Sequence, residues 1–263
     1  MSSVTTAKNK SKTWLGRLVL LWLTLSACAP LETPPTASPE SPTPASEVTA
    51  TVVWFPPTAT PTPIPTKPVT PTPDLHPNLG ELLFSDDFSS PGSWSLSKSS
   101  QGGAALGHNE LTIAILEPRT YIYSVRSEPV LSDFYLEITA SPTLCREADE
   151  YGLLLRLTSP SDFYRFSLSC DSQVRLDRLV NGAASSPQPW MFSGVIPPGA
   201  PNIARLGVWA RGKEMRFFIN DVFQFTVSDP LLPSGSIGVF ARSAGDYAVT
   251  VNFSDLVVRE IIQ

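Results

Sequence analysis

The chain has 263 residues, 42% of them apolar and 16% charged, with a net charge of −5. That length suits one or two domains, but 15 of the 27 prolines fall between Pro30 and Pro77. The compact part is therefore expected over residues 79–263, long enough for one sizeable core. The cations Lys8, Lys10, Lys12 and Arg17 cluster at the amino end and the rest are scattered. No basic stripe is available to neutralise phosphates, which argues against nucleic acid as a partner.

Met1 to Arg17 is polar and basic without an acid, Leu18 to Leu25 is almost wholly apolar, and the small residues Ser26 and Ala27 follow. A charged start, a short apolar middle and small residues at a processing site make up an export signal over residues 1–27. The apolar run is far short of the ~20 residues that span a bilayer. Leu25-Ser26-Ala27-Cys28 resembles the lipobox of bacterial lipoproteins. The resemblance implies diacylglycerol on the Cys28 sulfur, removal of the signal before it, and usually acylation of the new amino terminus. Two or more chains, at about 0.8 kcal/mol per buried methylene, hold a protein to a membrane where one does not. Ala29, where some Gram-negative lipoproteins carry an inner-membrane aspartate, fits a body facing the outside.

Residues 28–78 form a spacer of Pro, Thr, Ser, Ala and Glu, densest in "TATPTPIPTKPVTPTP" (Thr58 to Pro73). Proline removes donors and fixes φ, so neither helix nor sheet is expected. A disordered, polyproline-like segment follows, with a reach of up to roughly 150 Å at about 3.1 Å per residue.

From Leu82 onward short alternating runs are broken by turn residues. Glu110 to Glu117 is one run. Asp133 to Ser141 sets Phe134, Leu136 and Ile138 against Tyr135, Glu137 and Thr139, a half-buried strand. Tyr151 to Cys170 reads as two strands joined at Ser159-Pro160-Ser161-Asp162. Gln173 to Val180 and Ile203 to Ala210 follow, then a hairpin over Glu214 to Val227 that turns at Asn220-Asp221, residues tolerant of positive φ. Ser236 to Ala241 and Tyr247 to Val258 complete the set. No stretch sustains a 3.6-residue period, so the fold class is all-β, a two-sheet antiparallel sandwich. With Cys28 lipidated, Cys145 and Cys170 remain, and the turn near Pro160 sets Cys170 opposite about Gly152, a few residues from Cys145. In an oxidising compartment they form a disulfide; the alternative is two free buried thiols.

The segments "LLFSDDFSSPGSW", "GLLLR…DFYRFSL…VRLDRLVNG", "RLGVWARGKEMRFFINDVFQF" and "SGSIGVFA…VTVNFSDLVV" resemble the concanavalin A-like lectin/glucanase superfamily over nearly all of residues 80–260, closest to its laminin G-like and 3-keto-disaccharide hydrolase-like branches. The resemblance implies a jelly roll with one convex and one concave sheet, the concave face being the usual carbohydrate site. Laminarinase-type members carry Glu-x-Asp-x-x-Glu on one strand. Here Glu147-Ala148-Asp149-Glu150-Tyr151-Gly152 lacks the last acid and reads as a solvated loop, so no catalytic residue is assigned.

For sugar binding the need is an aromatic platform beside hydrogen-bonding side chains. In "RLGVWAR", Arg205, Trp209 and Arg211 alternate with Leu206, Val208 and Ala210, which makes Trp209 the leading candidate. Arg156 and Arg165, with Arg175 and Asp177 on the next strand, and Trp190 in the loop "SSPQPWMFSG" join it; the bland alternative is a core tryptophan and solvated arginines. Trp94 reads as core. No His pair stands at metal-ligand spacing, no cofactor is implied, and Asp86, Asp87 and Asp255 are weak candidates for a structural calcium. The expected function is a cell-surface lipoprotein whose sandwich binds or senses a glycan without catalysis. The alternatives are a glycoside hydrolase-type enzyme and a structural or protein-adhesion module.

Overall fold

The computed structural model describes residues 73–262 apart from Ser93. The export signal, Cys28 and nearly all of the spacer lie outside the described residues.

Fifteen strands and no helix make up the described residues. In chain order they are β1 (Leu79–Asp86), β2 (Ser97–Ser99), β3 (Gly102–Gly107), β4 (Glu110–Ile115), β5 (Tyr121–Leu131), β6 (Phe134–Leu144), β7 (Glu147–Ser159), β8 (Asp162–Cys170), β9 (Gln173–Val180), β10 (Ala183–Phe192), β11 (Ala204–Arg211), β12 (Glu214–Ile219), β13 (Val222–Ser228), β14 (Gly235–Arg242) and β15 (Val249–Ile261). They form two antiparallel sheets. One has nine strands, in the order β13-β12-β11-β6-β15-β4-β3-β2, with β1 beside β15; the other has six, in the order β10-β9-β8-β7-β14-β5. The expected two-sheet jelly-roll sandwich is the observed architecture.

Alternation puts one face of each strand between the sheets. Leu136, Val208, Phe217, Val251 and Phe253 from the nine-stranded sheet meet Tyr151, Leu153, Phe166, Leu176 and Val239 from the six-stranded one in a single buried cluster. Phe166 and Phe217 approach across the layers with ring centroids 4.8 Å apart. Each such side chain contributes about 1.5–3 kcal/mol of burial. The hairpin turns where the sequence indicates, with Asn220 and Asp221 both at positive φ (50° and 62°). Cys145, just past β6 of one sheet, is bonded to Cys170 at the end of β8 of the other, Cα atoms 5.9 Å apart, so the bridge ties the two layers.

Four strands are not read from the sequence pattern: β2, β3 and the two edge strands of the six-stranded sheet, β5 and β10. β10 carries Pro187 and Pro189, which break the alternation that betrays a strand, and β5 carries Pro129. Proline is tolerated there because an edge strand has one row of backbone groups with no sheet partner, and β10 shows two register shifts against β9 around its prolines. A further difference concerns Glu147 to Gly152. It is not a solvated loop but the start of β7, with a bulge between Glu147 and Glu150 that sets Cys170 opposite Glu147 rather than near Gly152.

Candidate functional site

The outward face of the six-stranded sheet carries an unusual density of charge over an apolar floor. Leu154 (β7), Phe163 (β8) and Phe240 (β14) are buried there beneath Tyr121 and Leu179. The antiparallel register then lines up residues across the sheet. Arg242 lies opposite Glu150, Ser167 opposite Arg175, and Arg165 opposite Asp177. Their side chains form one continuous ladder of five charges. Asp177 receives Arg165 at 2.7 Å and Arg175 at 3.0 Å; Glu150 receives Arg175 at 3.3 Å and Arg242 at 2.7 Å. Both carboxylates have only 4% of their side-chain surface exposed, against 44% for Arg242.

Aromatic rings flank the ladder. The Arg175 guanidinium lies 4.3 Å from the ring centroid of Trp190, which half-emerges from edge strand β10. At the other edge, β5 supplies Tyr121, packed 5.4 Å from Phe240, and the exposed Tyr123, 5.7 Å from Tyr121. A groove of about 370 Å³ continues from these two tyrosines to Ser95, Ser97 and Gln101. Burial works against the Arg165 charge, but its hydrogen bond and ion pair to Asp177 more than offset this and hold its pKa above the ordinary arginine value. Burial likewise pushes the Tyr121 phenol well above its ordinary value, Arg165 beside it only partly opposing that. Gly152 sits mid-face between Phe240 and Ser167, at φ +153°. A Cβ there would come 2.0 Å from the Phe166 carbonyl oxygen, so only glycine fits this close approach of neighbouring backbone.

Gly152 also occupies the position of the third acid in the laminarinase spacing counted from Glu147. Of the three acids present, Glu150 joins the ladder. Asp149 is 2% exposed and accepts the backbone N–H groups of Arg146 at 3.0 Å and Ala244 at 2.9 Å, and Glu147 is exposed.

The sequence-derived candidates do not converge on one place. Arg165 and Trp190 belong to the ladder face. Trp209, Arg205 and Arg211 stand on the outward face of the other, nine-stranded sheet. There Trp209 is no open platform. It is 3% exposed, in a cluster with Tyr135, Phe218 and Ile261, and covered by the segment before β1. Its indole N–H donates to the Pro77 carbonyl at 3.0 Å, Arg216 donates to the Leu75 carbonyl at 3.1 Å, and His76 stacks on Phe218 at 3.9 Å. The spacer's last residues are thus a strap over a sheet face. Arg205 is paired with Glu137 at 2.6 Å, and Arg211 lines an open hollow of about 590 Å³ with Lys213 and Glu214.

Arg156, expected on a solvated strand face, is fully buried. It sits at a positive-φ position (49°) in an irregular stretch of β7, and its guanidinium donates to the Ser132 carbonyl at 2.8 Å and the Leu232 carbonyl at 3.1 Å. It ties two loops together. Trp94 is core, as its sequence context indicates, and its indole N–H donates to Asp86. The other oxygen-rich candidates are occupied locally. Asp86 also receives Arg126 at 2.6 Å, Asp87 receives Ser89, and Asp255 receives Ser254. Among the described residues no group of three or more His, Cys, Asp or Glu is placed to hold a metal ion.

Arg242, Tyr121 and Tyr123 complete this face, and the sequence pattern does not single them out. The signal that marks them is the period-two order of "YIYSV" and "VFAR", whose outward positions are Tyr121, Tyr123, Phe240 and Arg242.

No family model matches the chain, and no curated protein is similar to it in sequence. Solved structures are similar in shape. Carbohydrate binding module CBM66 from Bacillus subtilis is 16% identical, with 64% of this chain and 96% of that one covered at a TM-score of 0.52. A protein of unknown function with a galectin-like fold, also from Bacillus subtilis, is 13% identical, covering 70% and 98% at 0.53. The catalytic domain of an endo-1,3-β-glucanase (laminarinase) from Thermotoga petrophila is 9% identical, covering 70% and 98% at 0.52. With its two antiparallel sheets, its buried inter-sheet core and these neighbours, the described part of the chain has the concanavalin A-like jelly-roll fold.

Proposed function

We propose that the protein is an exported, lipid-anchored carbohydrate-binding module that binds through the outward face of its six-stranded sheet and does not cleave its ligand. The observation that carries this reading is the ladder Arg165–Asp177–Arg175–Glu150–Arg242 flanked by Trp190 on one side and Tyr121 and Tyr123 on the other. Sugars present hydroxyls around an apolar ring face. Fixed, planar guanidinium donors serve the first and aromatic rings the second. The ion pairs hold the arginine side chains in place beforehand, which lowers the entropy lost on binding.

Absence of cleavage is favoured by the state of the carboxylates. Glycoside hydrolysis usually needs one carboxyl group to protonate the leaving oxygen and a second to act on the anomeric carbon or a water. Glu150 and Asp177 are each locked to two arginines, and Asp149 is held by backbone N–H groups. Lipid anchoring through Cys28 and a position outside the cell rest on the signal, the lipobox and the proline-rich spacer of the sequence.

The test is a glycan array probed with the full-length protein in detergent, beside Arg175→Gln and Trp190→Ala, together with a reducing-end assay on whatever binds. The expected result is binding by the wild type, a tenfold or greater loss in each variant, and no release of reducing ends. Release of reducing ends would make it an enzyme, and a silent array would leave a protein-adhesion role.

A further inference from the structure

The spare hydrogen-bonding capacity of the ladder lies mainly with its donors. All four carboxylate oxygens already accept. Glu150 Oε1 accepts from Arg242 and Oε2 from Arg175, Asp177 Oδ2 accepts from Arg165 and forms an ion pair with Arg175, and Asp177 Oδ1 accepts from the Ser186 hydroxyl at 2.6 Å. The guanidinium groups are far from filled. Each carries five N–H donors, yet among the described residues only one nitrogen of each is engaged: Nη2 of Arg165, Nη2 of Arg175 and Nη1 of Arg242.

Buried groups at the same place are also left without a partner. Nε of Arg165, Nε of Arg175 and the hydroxyl of the fully buried Ser167 have no acceptor or donor. Ser167 lies between Gly152 and Arg175 in the register. Unsatisfied buried polar atoms cost free energy and are uncommon in folded proteins, and three of them lie together beneath this outward face. Three cations against two anions leave this face net positive in a chain whose overall charge is −5.

Resting on the carbohydrate reading above, we propose that the ligand is an acidic glycan, whose sugar bears an oxyanion, a uronate carboxylate or a sulfate ester, seated against Arg175, Arg165 and Arg242. An oxyanion accepts several N–H bonds and donates none, which matches a surface whose unused donors far outnumber the lone pairs left on its carboxylates. Guanidinium binds carboxylate and sulfate in paired, charge-assisted hydrogen bonds. Trp190 and Tyr123 then cover the apolar faces of the flanking sugar rings.

The test uses matched pairs of polysaccharides and the full-length protein in detergent. One arm compares polygalacturonate with its fully methyl-esterified form, and the other compares dextran sulfate with dextran. The charged member of one pair should bind at least tenfold more tightly than its neutral partner. Binding should weaken as NaCl is raised from 0.05 to about 0.5 M, since part of the attraction is screened. Arg175→Gln and the more exposed Arg242→Gln should each cost tenfold or more, whereas the exposed Lys98→Gln should change nothing; melting temperatures confirm that each variant is folded. The arm that responds identifies carboxylate or sulfate. Equal binding to charged and neutral members overturns the acidic-glycan inference and leaves the carbohydrate reading intact. Binding to dextran sulfate that Arg175→Gln and Arg242→Gln do not weaken also overturns it, as non-specific attraction. No binding to any glycan removes both.

Discussion

Replacing Trp209 by alanine distinguishes a ring that binds sugar from a ring that holds the chain's own strap. The indole is 3% exposed, bonded to the Pro77 carbonyl at 3.0 Å and covered by Arg216, whose guanidinium lies 4.5 Å from the ring centroid. A buried aromatic reduced to alanine typically costs about 3–5 kcal/mol. The lost hydrogen bond accounts for about 1 kcal/mol of that and the cation–π contact for about 0.5–1 kcal/mol. The ring lies on an outer sheet face, where the strap can settle into the space, so the lower end, about 3 kcal/mol, applies. At about 2–4 °C per kcal/mol for a body of this size, the melting temperature falls by roughly 6–12 °C. Trp209→Phe keeps a ring but drops the indole N–H, and should cost about 1 kcal/mol. Calorimetry gives the stabilities. Hydrogen exchange at the Ile262 amide, which donates to the Asn78 carbonyl, reports whether the strap has lifted. Glycan binding by Trp209→Phe should equal that of the wild type, because the ladder is on the other sheet. A Trp209→Ala protein melting within about 2 °C of the wild type, less than 1 kcal/mol would produce, or a Trp209→Phe protein that loses sugar binding at unchanged stability, would refute the assignment of Trp209 to the strap.

The Cys145–Cys170 bridge closes a loop of sequence separation 25, which on the chain-entropy account stabilises the fold by about 3.5 kcal/mol; a Cys145→Ala/Cys170→Ala protein should show that loss in denaturant unfolding, and a loss under about 1 kcal/mol would contradict it. Acid should weaken the fold through Glu137 and Asp229. Burial alone would raise both carboxyl pKa values, but Arg205 and Tyr135 at Glu137, and the Leu231 amide with Arg178 at Asp229, hold them below the ordinary range. Groups with lowered folded-state pKa values contribute stability above pH about 4 and lose it as the pH drops through those values. Melting curves of the wild type and of Glu137→Gln/Asp229→Asn should therefore differ more at pH 6 than at pH 3; an undiminished difference at pH 3 would show that the linkage lies elsewhere.

Much of the body is legible in its local chemistry. Alternation in Phe134-Leu136-Ile138 needs only the two-residue repeat of a strand, and Asn220-Asp221 needs only residues that accept positive φ, so neighbours in sequence suffice for both. The Cys145–Cys170 pair needs no more than a count of cysteines and one turn. The candidate site is legible in part. Arg165, Trp190, Arg175 and Asp177 can be named because each belongs to a recognisable run, but nothing in those runs says which sheet, or which side of it, they share.

Alternation by itself tells inward from outward; it does not say what lies over an outward residue. That is why Trp209, outward by its pattern, lies beneath Leu75 and Pro77, a contact spanning more than a hundred positions of sequence. It is also why Arg156 has the pattern of a solvated residue, although irregular pairing in β7 puts it among the carbonyls of Ser132 and Leu232. The period of the side chains, the turns and the cysteine pair are set by the sequence alone. The five-charge ladder, the close backbone approach at Gly152 and the strap are decided only by tertiary structure, because each depends on strands far apart in the chain being held in one register.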